Sequence, residues 1–148
     1  MRRPVVLLAL IASALASCGS DEQEDFAQGY RPVNDELLAL GGRVSEDVSR
    51  TASRSGDENS AAFGRAADRA AELRRRLGEL DPPEDLNDRR DALAGALDRA
   101  VAKFVELEKR SRRERLRPRA LTRELVPVSR RIDSAQNALA ESTGARVD

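Results

Sequence analysis

The chain has 148 residues, with 26 cationic and 26 acidic side chains and so no formal net charge. It contains no His or Trp, one Cys, one Met, one Tyr and three Phe. This inventory excludes imidazole catalysis, His ligation of haem and His-containing metal sites, and the balanced charge gives no reason to expect nucleic acid.

Residues 1–17 have the layout of an export leader. Arg2 and Arg3 form a positive start, and an apolar run from Val5 to Ala16 is broken only by Ser13. That run is shorter than the roughly 20 residues a permanent membrane-spanning helix needs. It ends in Leu15-Ala16-Ser17-Cys18, which resembles the lipobox of bacterial lipoproteins. The resemblance implies cleavage before Cys18 and a covalent diacylglyceryl group on that thiol, with no other cofactor. It also implies lipid anchoring at the extracytoplasmic face of the cell membrane. Two acyl chains anchor stably where one binds only reversibly.

Without the leader, 24 cations face 26 acids, a net of −2. Only Lys103 and Lys109 are Lys; every other cation is Arg. With abundant Ala, Asp and Leu, this resembles the composition of high-GC actinobacterial proteins.

Residues 18–32 read as a flexible acidic tether behind the lipidated Cys. Asp21, Glu22, Glu24 and Asp25 crowd it, and Phe26 and Tyr30 are its only large apolar groups. From Val33 to Gly144 apolar residues recur at helical spacing. A first helix is expected from Asn34 to Arg54, with Val33, Leu37, Leu40, Val44 and Val48 on one side. Gly41-Gly42 should bend or fray it, or let another helix cross closely.

The turn at Ser53–Ser60 offers Ser or Asp as the next N-cap. The second helix then buries Phe63, Ala67, Ala70, Leu73, Leu77 and Leu80, a stripe partly of alanine that leaves room for a groove. Asp81-Pro82-Pro83 stops it and starts a third helix, Glu84 to Arg115, through Leu86, Leu93, Leu97, Val101, Phe104 and Leu107. After Pro118 a fourth helix carries Leu121, Leu125, Val128, Ile132, Ala135 and Leu139 in heptad spacing, with a kink expected at Pro127. Gly144 ends it, and residues 145–148 should fray.

No segment shows a period-two strand pattern. The fold expected is all-α, an up-down-up-down four-helix bundle over 33–144; the alternative is an extended helical hairpin or coiled coil. The junction Leu77-Gly78-Glu79-Leu80-Asp81-Pro82-Pro83-Glu84-Asp85-Leu86, followed by Leu93 and Ala96-Leu97, resembles a Leu-x-x-Leu-x-Pro-Pro-x-x-Leu pattern. That pattern occurs behind a lipobox in small actinobacterial lipoproteins of unassigned function. The resemblance covers about twenty residues plus the leader, and it implies no catalytic residue.

One charged segment stands out. Lys109, Arg110, Arg112, Arg113, Arg115, Arg117 and Arg119 face a single acid, Glu114, within eleven residues. Such a cluster either complements a helix C-terminus and neighbouring acids or binds an anionic lipid, a wall polymer or an envelope protein. Carboxylates alone could support an enzyme, but Glu106 and Asp133, beside their apolar stripes, read as flank positions. The functional expectation is therefore a non-enzymatic, lipid-anchored envelope interaction or scaffold protein without metal. The alternative is a small-ligand binding or sensing protein with a site inside the bundle.

Overall fold

The computed structural model describes residues 18–144; the expected leader (1–17) and tail (145–148) lie outside the described residues. Its elements are α1 (Cys18–Arg50), α2 (Gly56–Gly78), a 3-10 turn (Glu84–Leu86), α3 (Asn87–Ser111) and α4 (Pro118–Thr143). Each helix packs on the next, and α1 closes on α4, which makes an up-down-up-down four-helix bundle with no strand among the described residues.

Local chemistry sets the boundaries. Ser55 caps α2: its Oγ accepts from the Glu58 amide, and the Glu58 carboxylate accepts from the Ser55 amide, a complete capping box. Thr51 turns its hydroxyl onto the Val48 carbonyl at 2.7 Å, so α1 stops at Arg50, four residues before the expected end. The third helix is also shorter than its apolar pattern suggests. Pro82-Pro83 lead into the 3-10 turn rather than directly into α3, and the chain leaves helix after Ser111. Pro118 occupies the first turn of α4, where its missing amide costs nothing, and Gly144 closes that helix at φ 65°.

The expected flexible tether at 18–32 is corrected. These residues are helical, and Phe26, Ala27, Tyr30 and Val33 are buried. They continue the stripe of Leu37, Leu40 and Val48 upstream at the same spacing, so two aromatic residues suffice to order a segment that is acidic on its outer face. The rings of Phe26 and Tyr30, one helical turn apart, lie parallel with centroids 6.0 Å apart. Pro32 sits inside α1 on its exposed side. The bundle therefore starts upstream of residue 33.

The core runs the length of the rod: Tyr30, Phe63, Leu73, Leu77, Leu86, Leu93, Leu97, Leu107, Leu121 and Leu139 are all fully buried. Ala66, Ala67 and Ala70 on α2 and Ala94 and Ala100 on α3 bring those two helices close. At the end of that pair, a methyl group on Gly56 would lie 2.6 Å from the Ser111 carbonyl oxygen, so only glycine fits.

Candidate functional site

The turn that takes α3 into α4 carries the basic segment, and the structure divides its seven cations. Arg110 is committed internally. Its Nη1 and Nη2 donate to the two oxygens of Glu124 on α4 at 3.0 and 2.9 Å, and Nε lies 2.7 Å from Glu114. Lys103 approaches Glu124 at 2.9 Å and Glu106 at 3.0 Å. Hydrogen bonds from Arg110 and Lys103 hold the Glu124 carboxyl down at about 2, and the same network raises both cations. Glu106, one of the two flank acids, is part of this lattice.

Two more cations tie the turn to the rest of the bundle. Arg112 donates from Nε to Ser60 Oγ at 2.8 Å and pairs with Glu108 at 3.2 Å. Arg115 donates to the Ala52 carbonyl at 3.1 Å, fastening this turn to the α1–α2 turn. Lys109, Arg113, Arg117 and Arg119 are exposed, and among the described residues none of them makes an ion pair. Three of the seven thus serve folding, and four remain open to a partner.

Placement in the bundle adds a polarity that no linear window reveals. The Arg cluster and the α1–α2 turn share one end. The other end gathers the start of α1 (Asp21, Glu22, Glu24, Asp25), the α2–α3 junction (Glu79, Asp81, Glu84, Asp85, Asp88) and the close of α4, where Gln23 donates to the Ser142 carbonyl at 2.7 Å. One tip is strongly acidic and the other basic. Cys18 begins α1 at the acidic tip, the far end from the Arg cluster.

A second feature lies along the flank. Near the acidic tip, α1 and α4 are joined by buried polar groups: Gln136 donates to Asn34 Oδ1 at 2.9 Å, and Tyr30 donates to the same oxygen at 3.4 Å. Burial pushes the Tyr30 phenol above its ordinary range, so it stays a donor. Toward the basic tip a groove lies between the two helices. Its upper part, about 220 Å³, is lined by Leu37, Leu40, Val44, Phe104, Leu125 and Ile132, together with exposed Asp133 and buried Gln136. Its lower part, about 490 Å³, shares Gly41, Val44, Leu125 and Ser129 with the first and ends at Pro118, Arg119 and Thr122.

Gly41 and Gly42 explain part of this opening. A Cβ at either position would meet nothing within 4 Å, so they neither break α1 nor mark a close crossing. Two helix-interior glycines cost about 1 kcal/mol each against Ala, and here they leave the groove wall low. Leu38, half exposed, is the one exposed large hydrophobic side chain among the described residues. The groove expected beside the alanines of α2 is a separate depression of about 210 Å³ against α1, where Ala62 and Ala66 sit among Arg43, Asp47, Arg65 and Arg69.

The α1/α4 groove was not read from the sequence. Leu38, beside Leu37 and off the buried stripe, and the mid-helix glycine pair are the signals that could have marked it. Among the described residues no helix is long and apolar enough to cross a membrane, and no cluster of three or more His, Cys, Asp or Glu is placed to hold a metal ion. No protein family, curated protein or solved structure matches this chain.

Proposed function

We propose that this chain is a lipid-anchored, non-enzymatic interaction protein of the bacterial cell envelope, held through Cys18 at the extracytoplasmic face of the cell membrane. Its partner is an envelope protein with an acidic surface, met by the basic tip of the bundle. One observation carries the reading: Lys109, Arg113 and Arg117 are exposed, lack carboxylate partners among the described residues, and sit at the end of the rod opposite Cys18. An anchor at the acidic tip points that surface away from the carrying membrane. Headgroups of that membrane are then the wrong anion for it. Acidic side chains near anionic lipid also favour an upright stance.

The test compares wild type with Lys109→Ser/Arg113→Ser/Arg117→Ser by crosslinking and affinity purification from native membranes. A partner recovered in near-stoichiometric amount by wild type and lost by the variant, at unchanged helicity, supports the reading. Equal recovery by both removes the basic tip from it. Separately, Cys18→Ala should move the protein from the membrane to the soluble fraction; full retention would overturn the anchor.

A further inference from the structure

We propose that the α1/α4 groove binds a single-chain anionic amphiphile, with the acyl tail along Val44, Phe104, Leu125 and Ile132 and the charged head at Arg119. The proposal does not depend on the anchor at Cys18 or on the partner of the basic tip.

The shape argues for a chain rather than a compact ligand. The two depressions adjoin, sharing Gly41, Val44, Leu125 and Ser129 in their walls. They follow α1 from Leu37 to Ser49, which is about 18 Å at 1.5 Å per residue. Their volumes of about 220 and 490 Å³ together fall within the usual range of ligand clefts, roughly 300–1,000 Å³.

Charge fixes the orientation. The apolar walls lead to the start of α4, where Arg119 lines the groove and makes no ion pair among the described residues. The first turn of α4 holds no acid, and Arg117 at its N-cap provides no side-chain cap. Arg119 and the positive end of the α4 dipole therefore both favour a carboxylate or phosphate there. Ser45, Ser49 and Thr122 add hydroxyls beside that point. At the other end, Asp133 opposes an anionic head and leaves that end to the tail. A lipid on Cys18 is not the occupant, because the groove starts nineteen residues further along α1, about 28 Å away.

The test is isothermal titration of the full-length Cys18→Ser protein, which carries no thioether-linked lipid, with laurate below its critical micelle concentration. Lysophosphatidate and dodecyltrimethylammonium are run in parallel. Laurate or lysophosphatidate should bind saturably with one site per chain, and the tighter of the two identifies the head as carboxylate or phosphate. Arg119→Glu should weaken binding roughly tenfold or more, as loss of a charge-assisted contact does. Gly41→Trp should block the groove. Both positions are exposed, and Glu in the first turn of α4 suits the helix dipole, so helicity and Tm should persist. Absence of saturable binding by either anion would overturn the proposal. Equal binding of the cationic amphiphile would do the same, as would binding that neither variant changes.

Discussion

Gln136 on α4 and Asn34 on α1 share a hydrogen bond of 2.9 Å while both residues are buried, more than a hundred positions apart in sequence. The acceptor, Asn34 Oδ1, also takes the Tyr30 hydroxyl at 3.4 Å. This polar clasp sits in an otherwise apolar seam and stitches the first helix to the last. Gln136→Leu should destabilise the bundle by about 1–3 kcal/mol, because the Asn34 amide oxygen keeps only the longer phenol contact. Replacing both partners, Asn34→Leu/Gln136→Leu, should recover part of that loss. Urea unfolding of the two variants measures the difference; a single variant as stable as wild type would show that the clasp adds nothing.

Acid should loosen the turn between α3 and α4. Glu124 has its folded pKa lowered to about 2 by Arg110 and Lys103. A carboxylate with a depressed folded pKa adds stability above its unfolded pKa, near 4.5, and loses it as pH falls toward 2. Stability should therefore drop across that window in wild type and drop less in Glu124→Gln. The side chain is about a third exposed, so the loss at neutral pH should be modest, roughly 1 kcal/mol. Thermal melts at pH 7, 4 and 2.5 would show it.

Arg110→Ser should cost a similar amount, since it removes the two-pronged contact and leaves Glu124 with only its Lys103 pair among the described residues. Lys109→Ser/Arg113→Ser/Arg117→Ser should leave Tm within error, because exposed substitutions away from a network are usually within about 0.5 kcal/mol. Equal losses in both variants would mean that the division between structural and open cations is wrong.

Gly56→Ala should be costly although alanine is the better helix former. The added methyl meets the Ser111 carbonyl oxygen at 2.6 Å; that oxygen is backbone, and the methyl is fixed rigidly to the backbone of α2. Forcing the helices apart there should cost about 1–3 kcal/mol by chemical denaturation. A neutral Gly56→Ala would place α2 and α3 further apart than described.

Phe26→Ala separates a folded segment from a tether. Phe26 is only 3 % exposed and packs beside Tyr30, so its loss should cost about 3–5 kcal/mol. Deleting residues 19–32 should likewise unfold α1 and loosen its neighbours. If either change left Tm untouched, residues 18–32 would be a tether after all.

Helix number, order and most of the core were legible because the buried faces obey a simple period: Leu73 and Leu77, Leu93 and Leu97, Leu121 and Leu125 all lie where spacing alone puts them. Turn chemistry was equally readable at Pro118 and Gly144, while at 53–60 it placed the cap on a Ser or Asp without singling out Ser55. The start of α1 was not, since four acids among residues 21–25 outweigh Phe26 in any composition window. Burial there depends on where α4 ends, a fact remote in sequence. The split of the basic cluster was hidden for the same reason: nothing local says that Arg110 meets Glu124 while Arg113 meets no carboxylate among the described residues. The groove is made by two helices together, and no single-helix pattern encodes the space between them.

The continuous α1 turns the first helix into a gauge. It has 33 residues from Cys18 to Arg50 and so measures about 50 Å. A pliant leash would let the basic tip wander over a wide volume at any height. If Cys18 carries the proposed anchor, a rod that starts there would hold that tip about one helix length out, and only partners whose acidic face lies near that height would be within reach.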